Sequence, residues 1–283
     1  MSSKNPWEFN AKRVLVFSDV HQRLDWMYAI LDKERNNYDK IVFLGDMFDV
    51  HHSAINSSGA RQTAKEYALM IDSPNNLVLA GNHDIPYLEC WADAKRFSNK
   101  KHIYNPCSGF SKSKAIEIAK ELEPRHVEKI RLFCIVNGWL LSHAGISKSI
   151  FDVATNLNSK NESVFKVLHK ESLYAMTHLS SMPHKFLSVG YARGGNCPEG
   201  GMTWYDWTME FEDHAPLPQL VGHTYDEHPR QIGRSFCIDT GFTYAIIHDD
   251  GHLQLKNLSP TNTRDKNDDL VWVSTEPKVL KIG

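Results

Sequence analysis

Residues 77–89 read LVLAGNHDIPYLE. Leu77, Val78, Leu79 and Ala80 form a short apolar run of the kind that fills a buried strand. The run halts at Gly81, and an amide, an imidazole and a carboxylate follow at once in Asn82, His83 and Asp84. The same grammar occurs twice upstream. Residues 14–17 (VLVF) lead into Ser18-Asp19-Val20-His21, and residues 41–44 (IVFL) lead into Gly45-Asp46-Met47-Phe48-Asp49. Between these runs, Leu24, Met27, Tyr28 and Leu31 recur at helical spacing, and a second helix is expected near 60–71. Strand, helix, strand, helix, strand, with each strand short and continuously apolar, predicts parallel strands buried on both faces of an α/β unit. Ligand sites in open α/β sheets lie outside the carboxyl ends of the strands. Asp19, His21, Asp46, Asp49, Asn82 and His83 are therefore expected on one rim.

The rest of the chain extends the pattern. Helices are expected over 111–123 and 125–130, then two strands, 130–136 and 138–141, around an Asn137-Gly138 turn. The second strand runs into Ser142-His143-Ala144-Gly145. Residues 148–180 are polar and helical in pattern, and 190–214 are rich in Gly and Trp, with Trp204, Trp207 and Phe211 as expected anchors. Residues 148–214 read as a lid or insert. Leu220-Val221 leads into Gly222-His223-Thr224, and 236–239, 243–247 and 253–256 read as an antiparallel run of strands. Residues 259–269 are polar and expected to be loose, with a last strand at 270–273. No repeat or domain boundary interrupts the chain, so 1–283 is expected to be one domain, with 258–283 as a C-terminal extension.

Bulk properties narrow the function class. The 283 residues are 41% hydrophobic and 23% charged, an ordinary globular composition. A formal charge of -2 carries no polyanion-binding signature, so strong nucleic-acid binding is not expected. The five cysteines are odd in number and widely spaced, without a CxxC, which argues against a disulfide framework or a thiolate zinc site. The N-terminal MSSKNPWEFNAKR is polar, with no apolar signal region, and no apolar run approaches the ~20 residues of a membrane helix. The expected location is the cytoplasm, away from any membrane.

Five segments carry chemistry: Asp19-x-His21, Gly45-Asp46-x-x-Asp49, Gly81-Asn82-His83-Asp84, Ser142-His143-Ala144-Gly145 and Gly222-His223-Thr224. Carboxylate and imidazole donors together suit Mn, Fe, Zn, Co or Ni better than Ca, and the glycines allow the ligand backbone to turn tightly. The five, in this order, resemble the calcineurin-like metallophosphoesterase superfamily. They are most similar to its phosphoprotein-phosphatase-like branch of bacterial and phage serine/threonine phosphatases and symmetrical diadenosine tetraphosphatases. The resemblance runs from about Val14 to Gly241. It implies an α/β sandwich of two mixed β-sheets flanked by helices, and two divalent metal ions, with Mn as the expected metal. It implies that Asp19 and His21 bind the first ion, Asp46 bridges both, and Asn82, His143 and His223 hold the second. His83 is then the general acid, and Asp49 pairs with it and raises its pKa. Asp84 is expected to fix the loop. The implied reaction is in-line attack on phosphorus by a hydroxide shared by the metals, on a phosphoprotein, another phosphomonoester or a dinucleoside polyphosphate.

The chain also departs from that branch. Gln22 stands where the branch usually has glycine after the first histidine, and Val50-His51 stands where it has Arg-Gly. Arg193, with its bidentate fork, is expected to grip phosphate in place of the missing arginine, and His51 to assist. Tyr225 stands where the nuclease and phosphodiesterase branches carry the last histidine of GHxH. That favours a phosphatase over a cyclic-nucleotide or nucleic-acid phosphodiesterase, and the presence of Asp19, His21, Asp46, Asn82, His83, His143 and His223 favours it over a non-catalytic metal-binding scaffold.

Overall fold

The βαβαβ reading of the first ninety residues holds. A computed structural model describes residues 5–50, 57–95, 107–158, 162–179, 184–264 and 270–280. In chain order the elements are β1 (Glu8–Phe9), β2 (Arg13–Phe17), α1 (Leu24–Lys33), β3 (Lys40–Phe43), α2 (Ser57–Asp72), β4 (Asn76–Val78), α3 (Ile85–Lys95), α4 (Lys112–Glu121), α5 (Pro124–Val127), β5 (Phe133–Val136) and β6 (Trp139–Ser142). There follow α6 (Lys148–Leu157), α7 (Val164–Thr177), β7 (Gln219–Val221), β8 (Arg230–Ile232), β9 (Ser235–Cys237), β10 (Thr243–His248), β11 (Leu253–Arg264) and β12 (Leu270–Leu280).

The strands form two mixed sheets, ordered β12-β11-β10-β2-β3-β4 and β1-β5-β6-β7-β9-β8. β2, β3 and β4 are parallel, so their carboxyl ends share one edge. β6, β7 and β9 are parallel in the other sheet. The period-2 alternation of strands explains why the strand runs are apolar throughout. In β2, Val14 and Val16 join an inter-sheet core with Val136, Leu141 and Leu220 of the facing sheet. Leu15 and Phe17 point the other way, into a larger core with Trp26, Met27, Ala64 and Tyr67 of α1 and α2. Each such fully buried side chain contributes about 1.5–3 kcal/mol. The sandwich flanked by helices is the architecture that the sequence leads one to expect.

Several details differ from the sequence reading. The buried face of α1 is Trp26, Met27 and Ile30, while Tyr28 is about half exposed. The apolar stripe is rotated one position from the expected Leu24–Met27–Tyr28–Leu31 face, because Trp26 supplies more apolar surface than Tyr28 and claims the core. Residues 259–264 are not loose: β11 continues through them and pairs with β12, with Pro260 opposite Trp272. Backbone pairing makes this strand rather than an apolar run. Proline is tolerated there because β10 ends its pairing at Asn257, which leaves one flank of β11 open. β9 and β10 are not an antiparallel pair either, since they belong to different sheets and residues 238–242 carry the chain between them. The Asn137-Gly138 turn does join β5 and β6 as a hairpin, with both residues at positive φ. Among the described residues no helix is long and apolar enough to cross a membrane.

Candidate metal centre and active site

The loops after β2, β3 and β4 meet the loops after β6 and β7 along one edge of the sandwich. They are tied by main-chain bonds, His21 N–H to the Asp46 carbonyl (2.8 Å) and Gly222 N–H to the His143 carbonyl (2.7 Å). His21, Asp46, Asp49 and His223 all hold left-handed backbone, with φ of +46°, +53°, +64° and +71°. Each costs roughly 1–2 kcal/mol for an L-residue, and such strain gathers at functional sites. Gln22 is left-handed too, at φ +61°, a conformation that glycine adopts without steric cost. Asp84, fully buried, takes the main-chain N–H groups of Asp46 (2.8 Å), Met47 (3.0 Å) and Gly81 (2.9 Å) on its two oxygens. It locks the second and third loops together, the loop-fixing part expected of it.

Two groups of ligand atoms share one carboxylate. Asp19, His21 and Asp46 offer atoms within 4.8 Å of one another, and so do Asp46, His143 and His223. The Asn82 amide oxygen joins the second group, 2.9 Å from His143 Nε2 and 2.7 Å from His223 Nδ1. The imidazoles are pre-oriented by carbonyls: His21 Nδ1 donates to Asp49 O (2.7 Å) and His143 Nδ1 to Leu44 O (3.0 Å). That fixes the tautomer and turns each Nε2 toward Asp46 Oδ2, at 3.7 and 3.4 Å. Burial pushes the Asp46 carboxyl up, but His143, His83 and His21 outweigh it and hold it well below the carboxylate range. Burial, with the charge of His143, holds the His223 imidazole well below its ordinary value, and its buried Nε2 has no hydrogen-bond partner. A neutral imidazole with an orphaned nitrogen beside a shared anionic carboxylate fits divalent transition metals.

Glycines set the spacing. A Cβ on Gly222 would stand 2.0 Å from Asp19 Oδ2, and one on Gly81 would stand 2.1 Å from Asp46 Oδ1. Gly222→Ala is expected to displace Asp19 and lower kcat/KM on the order of 100-fold, measured on metal-loaded protein. An unchanged kcat/KM would mean that Asp19 tolerates the shift and has no ligand role.

Beside the ligands stands an acid pair. His83 Nδ1 donates to Asp49 Oδ2 at 3.0 Å, and its ring meets that of His21 edge-on at 5.1 Å. Burial pushes the His83 imidazole down, but the charge of Asp46 and the hydrogen bond to Asp49 raise it above its ordinary value. Burial pushes Asp49 up, and hydrogen bonds from His83, Lys114 and Tyr87 bring it below the usual range.

A cavity of about 430 Å³ opens over these groups, lined among others by His21, Asp46, Asn82, His83 and His223. Arg193 lines it as well, its Nε paired with Asp206 (2.6 Å) and one Nη donating to Thr224 (2.9 Å). Trp207 and Phe211 are buried anchors, as expected, but Trp204 instead faces the cavity, its ring edge-on to His223 at 5.7 Å. His51 lies outside the described residues.

Sequence reasoning missed four groups. Lys114 and Tyr87 both contact Asp49. Asp239, 6% exposed, lines the cavity, and burial with the charges of Asp19 and Asp46 pushes its carboxyl well up. Arg23 donates to the main-chain carbonyls of Asp19, Val20 and Gly241, bracing the first loop. Asp239 directly follows the apolar run Phe236-Cys237-Ile238, a strand-end signal like those that mark Asp19 and Asp46 and one that could have found it.

Residues 12–247 match the family model described as calcineurin-like phosphoesterase. A cold-active protein-tyrosine phosphatase of a psychrophilic Shewanella species is structurally similar, with 17% identity over 89% of this chain and 80% of that one and a TM-score of 0.52. A further structure of a cold-active protein tyrosine phosphatase gives 17% identity, coverage of 89% and 78%, and a TM-score of 0.54. A protein serine/threonine phosphatase from Saccharomyces cerevisiae gives 12%, 95% and 82%, and 0.42. At these identities the likeness is one of fold. Comparison with curated protein sequences gave no match.

Proposed function

This chain belongs to the calcineurin-like phosphoesterase family, a family of metal-dependent phosphoester hydrolases, and on that premise we propose that it is a phosphatase using two divalent metal ions. The observation that carries the reading is Asp46, the one carboxylate common to both ligand groups. A carboxylate common to two ligand groups is what would let one side chain serve two ions. Asp19 and His21 hold the first ion, and Asn82, His143 and His223 the second. Mn is the favoured metal among Mn, Fe, Zn, Co and Ni, since the ligands suit all of them and availability decides.

When bound, the ions supply Lewis-acid charge and an activated water. The chain's own residues do the rest. Asp49 accepts the hydrogen bond of the His83 Nδ1–H, which leaves Nε2 on the opposite edge of that imidazole as the proton donor for the leaving-group oxygen. Arg193 lines the cavity and has guanidinium donors beyond those held by Asp206 and Thr224, which would be available to a phosphoryl oxygen. Substrates are phosphomonoesters, including phosphoproteins, or dinucleoside polyphosphates. Tyr225 in place of a further histidine supports monoester over diester cleavage.

The reading is tested by stripping metal with a chelator and restoring Mn²⁺, with p-nitrophenyl phosphate, bis-p-nitrophenyl phosphate and diadenosine tetraphosphate as substrates. Activity is expected to vanish on stripping and return with two ions per chain, and the monoester is expected to exceed the diester. Saturation at one ion per chain would rule out the dinuclear site, and a preference for the diester would replace the phosphatase with a phosphodiesterase.

A further inference from the structure

Lys114 is the least expected group near the site. Its side chain is 4% exposed, and lysine is almost never buried without a partner. It stands in the first turn of α4, where its N–H is capped by Ser111 Oγ at 3.3 Å. Its Nζ reaches Asp49 Oδ1 at 2.5 Å, and the Tyr87 hydroxyl reaches the same oxygen at 2.5 Å. The other carboxylate oxygen is left to His83 Nδ1.

Asp49 is thus held at every polar atom of its side chain. Its main-chain carbonyl also accepts from His21 Nδ1 at 2.7 Å. One residue therefore orients the first group's imidazole with its backbone and the acid with its side chain. The loop before α4 closes over it: a Cβ on Gly109, which has φ +87°, would stand 3.2 Å from Asp49 Cβ and Cγ. α3 supplies Tyr87 and α4 supplies Lys114, so two helices converge on a single carboxylate. Without donors on Oδ1, that carboxylate can rotate and carry the imidazole out of line. A misplacement of about 1 Å is worth on the order of 100-fold in rate.

We propose that Lys114 is a positioning residue: it fixes Asp49, and through Asp49 aims His83 at the leaving-group oxygen. The inference rests on the phosphatase reading in one respect, that His83 is the acid. It says that catalysis here depends on a helix outside the five ligand-bearing loops. It also says that the dependence is confined to reactions in which the leaving group needs a proton.

The test compares phenyl phosphate with 2,4-dinitrophenyl phosphate on manganese-loaded protein. Phenolate needs protonation as it departs; dinitrophenolate does not. Lys114→Met is expected to lower kcat on phenyl phosphate on the order of 10–100-fold, with the dinitrophenyl ester affected about threefold or less and metal content unchanged. In a His83→Ala background the same substitution is expected to add nothing, because both act on one step. Lys114→Gln, which keeps a donor and a similar length, is expected to show the same selectivity in weaker form and serves if the Met variant folds poorly. An equal loss on both esters, or losses additive with His83→Ala, would overturn the positioning role while leaving the phosphatase reading intact. A wild type that cleaves neither ester would instead overturn the phosphatase reading, and this inference with it.

Discussion

Asp46→Asn is expected to abolish manganese-dependent turnover, with a loss on the order of a thousandfold, and to abolish binding of the second equivalent of metal. The substitution preserves shape. An amide oxygen in the Oδ1 position still accepts the His83 N–H, now at 2.8 Å. What changes is the other atom. Oδ2 faces His143 Nε2 at 3.4 Å and His21 Nε2 at 3.7 Å, and an amide nitrogen there offers protons where both ligand groups need a shared anion. The two groups then lose their common member together, which no other single substitution achieves.

Without metal the variant is expected to be less stable than wild type. Asp46 is buried, but the charges of His143, His83 and His21 outweigh burial and hold its carboxyl well below the usual range, so a neutral amide gives up favourable interactions in the folded state. A ligand that binds only the folded state raises stability by mass action, so added Mn²⁺ should raise the wild-type melting temperature and leave that of Asp46→Asn nearly unmoved. Metal analysis and thermal melts with and without Mn²⁺ check both halves. A variant that still binds two ions with wild-type affinity would show that Asp46 bridges nothing.

The sequence exposes the ligand-bearing loops because their signal is local. A strand that is apolar on both faces must end where the chain turns polar, and in a parallel unit all such ends fall on one edge. Asp19, Asp46, Asn82 and His83 can be read that way within a few residues each. His143 and His223 follow the same rule in the second sheet, where β6 and β7 are parallel. Lys114 follows no such rule. It lies 65 positions from Asp49, on a helix whose pattern looks half-exposed, and only tertiary packing makes it a buried cation. Asp239 does follow an apolar run, but that run reads in the sequence as part of an antiparallel series, in which strand ends alternate between edges, whereas it lies parallel to β7. The β11–β12 pair is largely polar, so an apolar-run criterion misses it although its backbones pair along most of their length. The face of α1 is misjudged by one position because Leu24 and Leu31 remain partly buried beside the true stripe.

His83→Ala is expected to leave metal binding intact and to lower kcat on unactivated monoesters about 10²–10⁴-fold. Its contact with Asp46 is through its main-chain N–H, which alanine keeps, and His21, which its ring meets edge-on, is held in place by its own bond to the Asp49 carbonyl. The ring's own bond is to Asp49, and that pair works on the leaving group. The pH dependence gives the sharper test. An acid must be protonated to act, and the charges of Asp46 and Asp49 raise the His83 imidazole above its ordinary value against the effect of burial. Activity on phenyl phosphate should then persist through neutral pH and fall as pH rises past that raised value. Asp49→Asn removes one of those charges, so the alkaline limb should move to lower pH. His83→Ala should lack the limb altogether. A limb that stays in place in both variants would belong to another group, and a His83→Ala enzyme with wild-type rate on phenyl phosphate would remove the acid from the proposal while leaving the metal centre untouched.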